Sequence, residues 1–529
     1  MPPTHIAVLG GGLTGLSSAI HLARRFPTSK ITLLEKQGRL GGWVRSERVD
    51  LPQIGASVLL EGGPRSLRPN GKSVLELINL LKLQDEVITV PKTAPPAKAR
   101  FLYIPKSNGY SGPSGLQRIP SSIFSMLSSP LASVMLPAVL FEPFKRYNRP
   151  SNIRDESVDS FFTRRLGETF ARVFGSALVH GIYATDSRKL SVRAAFPSIW
   201  EAEERGRGSI VRGFLTPKKK KDLAEEETYD LGDVPEIMRG ISVYSFRDGM
   251  ETLTKAMERN LETTPNVGIT KNAHVSSLKL LEDQEVEVAH SQGTPLIASH
   301  VVSALPLQVL YNLIHDRNNT LLVPNLNKNP YSTVHVVNMV FPLPPKDIHP
   351  EGFGYLIPRP PDGYPDASNP SASGVLGTVF DSCSLYEQDF PRTENYYNNA
   401  SHTKLTMMTG GPYSKPPLPP HLSSSETDVM PPFIRNLLDQ LKTQLGKELP
   451  DPVYWRIWNN EACIPTLLPG HLERMEEMRA QLGLSSTPGS FDRDSGGWKA
   501  HLAVVGAGVG GVSVGDCIEA GRQVGREWT

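Results

Sequence analysis

A glycine-rich turn between a short apolar strand and a helix constrains this 529-residue chain most strongly. Residues 5–9 predict a buried strand and residues 16–25 continue as an amphipathic helix. In this pattern the first glycine permits the tight turn, the second lets backbone amides approach a diphosphate, and the third lets helix pack on strand. The sequence therefore predicts a dinucleotide site in an α/β domain, formed by Gly10, Gly11, Gly12, Leu13, Thr14 and Gly15.

An acidic residue follows the second predicted strand at the spacing expected for a nucleotide site. Glu35 comes 20 residues after Gly15, where a carboxylate can accept hydrogen bonds from ribose hydroxyls. Up to this point NAD(P) and FAD both fit. The next loop offers further amides and a guanidinium to the same diphosphate, and its ExxxRxGG pattern resembles that of flavin-dependent amine oxidases, which favours FAD. The residues of this loop that we add to the cofactor site are Lys36, Arg39, Gly42 and Trp43.

A second glycine-rich turn, residues 506–511, lies close to the end of the chain. Only 18 residues follow it, whereas a complete βαβ unit needs about 30 residues. We therefore interpret residues 501–505 as a late strand that returns to the first sheet, and residues 512–521 as a helix that directs its N-terminus at the same cofactor. The predicted FAD domain is discontinuous and comprises residues 1–90, 241–310 and 455–529.

Composition argues against several other classes of protein. The net charge is +2 and the pI about 8.3, so no strong positive field favours nucleic acid. The cysteines Cys383, Cys463 and Cys517 are far apart and the histidines lack ligand spacing, so we expect neither metal site nor disulfide. Because Cys517 lies within the last predicted helix, no cysteine is placed for a covalent flavin link, and we expect FAD to be noncovalent. Because the first strand begins near the first methionine, we expect no cleaved presequence.

An uncharged run of 23 residues, 119–141, approaches the length of a membrane span. Three prolines and six serines within it argue against a bilayer-crossing helix. The run ends in residues 141–147, where aromatic and basic residues alternate as they do at a headgroup interface. We predict monotopic, peripheral membrane contact, and the alternative is a buried helical lobe.

The remaining segments complete the predicted organisation. Residues 91–205 form a helical membrane-binding domain through which substrate enters. Residues 206–240 form a mobile loop with opposed lysine and glutamate runs at 218–227. Residues 311–454 are rich in strands and form an antiparallel substrate-binding sheet, with 415–425 as a loop. The predicted fold class is α/β, or α+β overall, with a Rossmann-like FAD domain.

A set of motifs in order resembles the protoporphyrinogen oxidase family of the eukaryotic mitochondrial type, among the monoamine-oxidase-like flavoproteins. The resemblance implies FAD-dependent oxidation of protoporphyrinogen IX to protoporphyrin IX in haem biosynthesis, with O2 as acceptor and H2O2 as product. It also implies a peripheral protein of the mitochondrial inner membrane, and it leaves open a contact with ferrochelatase and a homodimer. The motifs are residues 39–43, 61–66, 100–103, 187–191, 246–250, 352–356 and 511–518.

The same resemblance implies the remaining site residues. Arg100 would bind a propionate of the apolar dianionic substrate. We assign no acid–base residue, because hydride removal to a flavin depends on positioning. Two alternatives remain: another amine-oxidase-like oxidase or desaturase, and a non-enzymatic escort protein with the same fold. The implied substrate residues are Arg100, Gly181, Phe353, Gly354, Leu356 and Met408, and the further cofactor residues are Gly63, Pro64, Arg65, Ser66, Val275, Gly511, Val512 and Ser513.

Overall fold

The computed structural model describes most of the chain as strands and helices. The described residues are 2–106, 112–121, 123–145, 149, 153–217, 228–281, 285–314, 323, 325–365, 374–390, 396–413, 418, 421–427, 429–482, 498 and 501–528. Their strands are β1 His5–Leu9, β2 Lys30–Leu34, β3 Ser46–Leu51, β4 Ala56–Glu61, β5 Val87–Pro91, β6 Phe101–Ile104, β7 Gly115–Arg118, β8 Ile241–Phe246, β9 Val267–Thr270, β10 Val275–Leu280, β11 Val286–His290, β12 Leu296–Ala298, β13 His300–Ser303, β14 Tyr331–Phe341, β15 Gly354–Leu356, β16 Val375–Val379, β17 Thr403–Gly410, β18 His421–Ser423, β19 Tyr454–Pro465 and β20 Leu502–Val504. Their helices are α1 Leu13–Arg25, α2 Lys72–Leu80, α3 Pro95–Lys98, α4 Ile123–Leu127, α5 Ala132–Phe141, α6 Val158–Leu166, α7 Glu168–Phe170, α8 Ser176–Tyr183, α9 Val192–Ala195, α10 Pro197–Arg205, α11 Ile210–Leu215, α12 Val234–Ile237, α13 Glu251–Glu262, α14 Leu307–Tyr311, α15 Pro345–Ile348, α16 Asp381–Ser384, α17 Tyr396–Asn399, α18 Pro432–Leu445, α19 His471–Gln481 and α20 Val514–Gln523.

A parallel five-stranded sheet forms the core of the predicted nucleotide-binding domain. Its order is β20, β13, β1, β2 and β9, and every pairing in it is parallel. Such sheets are buried on both faces, which explains the continuous apolar runs of β1 and β2. The helices α1, α13 and α20 contribute to the core on one face. The predicted return of the C-terminal strand to the first sheet is confirmed, because β20 pairs with β13 next to β1.

A second sheet of eight strands lies against this domain. Its order is β18, β19, β14, β17, β16, β15, β6 and β7. All its pairings are antiparallel except that of β15 with β6. One face packs against α18 in an apolar cluster, and the other face meets β4 and the loop after it. The predicted antiparallel sheet is therefore present.

Several predicted boundaries are wrong. Strand β19 belongs to the antiparallel sheet, so the chain does not return to the nucleotide domain at residue 455. Strands β6 and β7 belong to the same sheet although they fall in the predicted helical domain. The range 206–240 contains the helices α11 and α12, and 415–425 contains β18. These errors share one cause, because strand pairing joins residues far apart in sequence and no local pattern reports the partner. The charged run 218–227 lies outside the described residues.

The segment 153–217 is helical, and α4 and α5 precede it. A π-helical turn at Ala171–Gly175 joins α7 to α8, and Pro137 lies inside α5. In the part of the chain that the structure describes, none of the helices combines the length and the apolar character needed to cross a bilayer.

Candidate active site

The turn between β1 and α1 presents backbone amides at the carboxyl edge of the parallel sheet. Gly10 has a φ of +95°, and its amide donates to the Leu34 carbonyl at 2.8 Å. A Cβ on Gly15 would overlap the Gly10 carbonyl, so only glycine allows α1 to start there. Gly12 is the N-cap of α1, and no described side chain caps this helix. The amides of its first turn are therefore available to an anion.

The Glu35 carboxylate lies buried at the end of β2, beside this turn. Its Oε2 accepts a hydrogen bond from the Gly11 amide at 2.7 Å, and its Oε1 accepts one from the Gln37 amide at 2.8 Å. These two bonds hold the carboxylate in one orientation. Each oxygen keeps a further lone pair, which a ribose hydroxyl could use. Lys36, the next residue, is exposed.

The loop with the predicted diphosphate ligands packs directly on the glycine turn. The Leu40 side chain lies against Gly11, where a Cβ would approach the Leu40 Cδ2 to 2.5 Å. The Gly41 amide donates to the Gly11 carbonyl at 2.8 Å, and a Cβ on Gly42 would lie 3.2 Å from the Gly12 Cα. The Arg39 guanidinium donates to the carbonyls of Leu40, Gly42 and Val44. Arg39 therefore shapes its own loop, and a direct bond from it to the diphosphate stays a prediction. Trp43 on this loop is 40% exposed.

The segment 62–66 continues this backbone surface toward the antiparallel sheet. A Cβ on Gly63 would overlap the Trp43 carbonyl, and one on Gly62 would lie 2.6 Å from the Trp458 ring. Arg65 is buried and pairs with Asp381 at 3.2 Å. Pro64 and Ser66 are half-buried. The glycine turn, residues 41–43 and residues 62–66 thus form one continuous surface.

The C-terminal turn and β10 approach the same edge of the sheet. A Cβ on Gly506 would lie 3.7 Å from the Thr14 Oγ1. Val275 shares a core cluster with Leu9 and Leu34, the last residues of β1 and β2. The two ends of the chain therefore meet at the nucleotide turn.

The start of α20 carries its own capping groups. The Ser513 Oγ accepts from the Asp516 amide at 3.1 Å, and the Asp516 Oδ2 accepts from the Ser513 amide at 3.0 Å. A Cβ on Gly511 would lie 2.6 Å from this carboxyl group, and Val512 packs against the helical core. The Ser513 amide, which belongs to a predicted cofactor residue, is thus bonded within the chain.

Two predicted substrate residues meet where β6 begins beside β15. The Arg100 guanidinium lies 5.8 Å from the Phe353 ring centroid, and the Phe353 amide donates to the Ala99 carbonyl at 2.9 Å. Partial burial lowers the pKa of Arg100, and the positive charge of Arg68 lowers it further. A guanidinium remains protonated under such shifts. Two cations therefore stand near one another, and the sequence patterns did not single out Arg68.

The other predicted substrate residues lie further along the same sheet face. A Cβ on Gly181 of α8 would lie 2.9 Å from both Leu356 methyl carbons. Leu356 pairs with Gly377, which pairs in turn with Met408. Since alternate residues of a strand share a face, Gly354 lies on this face with Leu356. A Cβ on Gly354 would overlap the Thr378 carbonyl, and the φ of Gly354 is +138°.

A buried histidine lies next to Gly181. The His180 Nδ1 is 2.7 Å from the Ile357 carbonyl, and its Nε2 is 2.7 Å from the Tyr364 hydroxyl. Burial lowers the pKa of His180 to about 4, so this ring is neutral near pH 7 and supplies no charge for a carboxylate. The described residues contain no group of potential metal ligands close enough to hold an ion.

Several residues of this region were missed from the sequence. Asn338 and Thr406 face each other on β14 and β17, and their side chains connect the sheet to residues 61–65. A strand with alternating polar residues is a weak signal, because such residues usually face solvent. Here they face the nucleotide domain instead. The other missed residues are Arg68, Asp381, Trp458 and Asn460.

The geometry fits a bound dinucleotide, and comparisons with known proteins identify its class. Residues 13–459 match the family of flavin-containing amine oxidoreductases. The chain is 31% identical to the protoporphyrinogen oxidase of Schizosaccharomyces pombe, over 99% of this chain and 98% of that protein. It is 31% identical to that of Homo sapiens, over 98% and 97%. A solved structure of a candidate protoporphyrinogen oxidase from Exiguobacterium sp. 255-15 superposes with a TM-score of 0.67, at 20% identity, over 98% of this chain and 97% of that one.

The chain belongs to the flavin-containing amine oxidoreductases, and it is an FAD-dependent oxidoreductase. Within that class it belongs to the protoporphyrinogen oxidase family. This assignment confirms the resemblance drawn from the motifs, and it confirms FAD over NAD(P). The free first-turn amides of α1, the oriented Glu35 carboxylate and the contact of Gly12 with Gly42 are the features that fit this cofactor.

Proposed function

We propose that this chain oxidises protoporphyrinogen IX to protoporphyrin IX, with three O2 molecules reduced to three H2O2 per product. The observation that carries the proposal is one sheet face that Gly354, Leu356 and Met408 share, with Arg100 at the start of β6 beside it. Trp458 of the same sheet packs against Gly62. A cation stands at one end of this face and apolar side chains follow it. This order matches a flat apolar macrocycle with carboxylates on one side.

The residues of the chain bind and orient the substrate in this proposal. Arg100 donates to a propionate, with Arg68 adding positive charge nearby. Leu356 and Met408 offer apolar contact to the tetrapyrrole and exclude water from it. Bound FAD supplies a two-electron acceptor that dioxygen can reoxidise. Because a positioned substrate needs no separate acid or base for this transfer, the neutral His180 is compatible with the proposal.

The test is fluorescence-detected oxidation of protoporphyrinogen IX by detergent-purified protein, with O2 uptake and flavin absorbance recorded on the same sample. Coproporphyrinogen III and a set of amines serve as parallel substrates. We expect porphyrin fluorescence and O2 uptake with protoporphyrinogen IX. A flavin-loaded protein that prefers coproporphyrinogen III or an amine would show that the proposed substrate is wrong. A colourless protein would favour the non-enzymatic escort role.

We further propose that the protein attaches peripherally to a membrane, and that this membrane is the mitochondrial inner membrane. Large apolar side chains are strongly exposed in the predicted segment, with Phe124 86% and Phe144 79% exposed. The segment also exposes Leu127, Leu140 and Phe141. Helix α11 adds Phe214 and Leu215, which lie outside the predicted segment and are 60% and 80% exposed. Such a concentration of exposed apolar residues supports interfacial binding.

A buried carboxylate holds the two apolar elements together. Glu142, at the end of α5, accepts bonds from the Ser209 Oγ and from the amides of Ile210 and Val211 at the start of α11. It also pairs with Arg165 at 2.6 Å, with both side chains fully buried. Burial alone would raise the pKa of Glu142, but the bonds from Ser209, Arg165 and the amides bring it below its ordinary value. The apolar surface is therefore preformed.

Vesicle flotation tests the attachment. We expect Phe214→Ser with Leu215→Ser to reduce binding to vesicles that contain anionic lipid, because apolar burial drives interfacial binding. The control is Val429→Ser, since Val429 is 75% exposed in the antiparallel-sheet domain. Equal binding of both variants to the vesicles would show that α11 does not contribute to membrane binding. Full release of the wild type from the vesicles by salt alone would exclude hydrophobic insertion. The ferrochelatase contact and the homodimer stay predictions that rest on the resemblance.

A further inference from the structure

A chain of buried side chains links the antiparallel sheet to the segment 61–65, which we call the flavin-side loop. The Thr406 hydroxyl lies at its centre, donating to the Asp381 Oδ2 at 2.6 Å and accepting from the Asn338 amide nitrogen at 2.8 Å. Asp381 continues the chain to Arg65 at 3.2 Å. On the other side, the Trp458 Nε1 donates to the Asn338 Oδ1 at 2.7 Å.

The same side chains hold the flavin-side loop at several points. Asn338 donates to the Glu61 carbonyl at 3.3 Å, and Asn460 donates to the Gly62 carbonyl at 2.8 Å. The Trp458 ring lies against Gly62, where a Cβ would approach it to 2.6 Å. Together with the pairing of Arg65 and Asp381, these contacts hold both ends of the loop. All of these partners come from the antiparallel sheet or the helix α16 that follows β16.

The position of this chain on the sheet connects it to the proposed substrate surface. Thr406 lies two residues before Met408 on β17, so their side chains share a face. Their partners across β14 are Asn338 and Val336, which likewise share that face. One face of the sheet thus carries the proposed substrate contacts. The neighbouring residues on that face, two positions along the strands, hold the flavin-side loop.

We infer that Thr406, together with Asn338 and Asp381, is a positioning residue that sets where the flavin lies relative to the substrate. The inference rests on the proposed function for the identity of the substrate, although not for its flavin readouts. A hydrogen bond fixes separation and direction, whereas apolar packing alone leaves a loop freer to shift. Because electron transfer from a bound substrate depends on positioning at the level of about 1 Å, a small shift of this loop would lower the rate.

The chain offers a matched pair of threonines for the test. Thr406→Val removes the central hydroxyl while keeping the shape of the side chain, and Thr406→Ser keeps the hydroxyl. Thr409 lies on the opposite face of β17, is equally buried at 1% exposure, and its hydroxyl finds no hydrogen-bond partner among the described residues. Thr409→Val is therefore the control for loss of a buried hydroxyl from the same strand.

The measurements are the visible circular dichroism of bound flavin, its midpoint potential, and kcat and KM on the FAD-loaded enzyme. We expect Thr406→Val to change the flavin dichroism and potential and to lower kcat by about tenfold, with KM within about twofold of wild type. Thr406→Ser and Thr409→Val should resemble the wild type. Identical flavin dichroism and potential in Thr406→Val and Thr409→Val would overturn the inference.

Two further measurements decide the inference if the first variant does not fold or the proposed substrate is wrong. If Thr406→Val does not accumulate as folded protein, Asn338→Leu replaces it, because this change removes the amide that bonds both the Thr406 hydroxyl and the Glu61 carbonyl. Unchanged flavin dichroism and potential in Asn338→Leu would then overturn the inference. If the wild type fails to oxidise protoporphyrinogen IX, the proposed substrate is wrong, while the flavin dichroism and the potential still decide the role of Thr406.

Discussion

Gly521 of α20 crosses α1 at Thr14 so closely that a Cβ on Gly521 would lie 2.5 Å from the Thr14 carbonyl oxygen. The Ser17 hydroxyl of α1 donates to the Ile518 carbonyl at 2.7 Å at the same crossing. Helix α20 is thus packed against α1, directly behind the turn predicted to bind the dinucleotide. Stability of the nucleotide domain therefore depends on a residue more than 500 positions from that turn.

We predict that Gly521→Ala lowers the free energy of unfolding by about 1–3 kcal/mol, since the added methyl group forces the two helices apart. Gly515→Ala in the same helix is the control, because a Cβ there would meet nothing nearer than the Ser513 Oγ at 3.7 Å. Alanine should be neutral or slightly favourable at position 515. Urea unfolding and FAD titration measure both variants, and equal stability of the two would show that α20 can move away without cost.

We predict that Arg100→Glu raises KM for protoporphyrinogen IX at least about tenfold, because a charge-assisted bond to a propionate becomes a repulsion. The flavin absorbance spectrum should be unchanged, since Arg100 precedes β6 of the eight-stranded sheet, whereas the glycine turns adjoin the parallel sheet. Arg118→Glu is the control, because Arg118 is exposed and pairs with Phe101 on the neighbouring strand. Steady-state kinetics measure kcat and KM of both variants. An unaltered kcat/KM for Arg100→Glu would show that Arg100 does not bind the substrate.

We predict that Glu142→Gln destabilises the helical segment by about 1–3 kcal/mol, because it removes the carboxylate that accepts bonds from Arg165, Ser209 and two amides, while Glu203 stays 3.8 Å from Arg165. The control is Glu201→Gln, whose carboxylate is half exposed and lies 3.8 Å from Arg205, and which should change stability by less than about 1 kcal/mol. Thermal unfolding and limited proteolysis near α11 report the effect. A Glu142→Gln protein as stable as Glu201→Gln would show that the buried pair contributes little.

We predict that the stability of the protein falls between about pH 4.5 and pH 7 through Glu61. Burial raises the pKa of Glu61 from its ordinary value of 4.5 to about 7, although bonds from Ser46 and the Met250 amide oppose the change. In this interval the folded protein keeps a proton that the unfolded chain has lost, so rising pH favours unfolding.

The isosteric Glu61→Gln variant tests this dependence, because its amide cannot ionise. The stability of the wild type relative to this variant should fall by on the order of 1–3 kcal/mol across the interval and level off above pH 7. Urea unfolding at a series of pH values measures the difference. A difference that stays constant with pH would show that Glu61 titrates normally in the folded protein.

The nucleotide turn and the strands beside it were predictable because their signals are local. The residues from Gly10 to Gly15 need a preceding strand and a following helix, and both are adjacent in sequence. Glu35 follows from the same unit, since a parallel βαβ connection places the end of β2 beside the turn. Strand β20 was expected to return to the first sheet together with the second glycine-rich turn, and its parallel pairing with β13 agrees with that expectation.

The substrate side was predictable only through the family resemblance. Nothing near Leu356 in sequence indicates that Gly181 of α8 will lie against it. Strand β19 was assigned to the wrong domain because its partner β14 is more than 100 residues away. Asn338 and Thr406 were overlooked because polar residues on a strand normally indicate a solvent-exposed face.

The sequence by itself determined the class of cofactor and the family, and it predicted the turn that would bind the cofactor, since each depends on residues at short, fixed spacings. The tertiary structure alone decided the face that Leu356 and Met408 share beside Arg100, the bonds through which Thr406 and Asp381 hold the flavin-side loop, and the joining of α5 and α11 by Glu142. The physical reason is that strand register and buried ion pairs are set by packing between distant segments, whose energy depends on partners that local patterns do not specify.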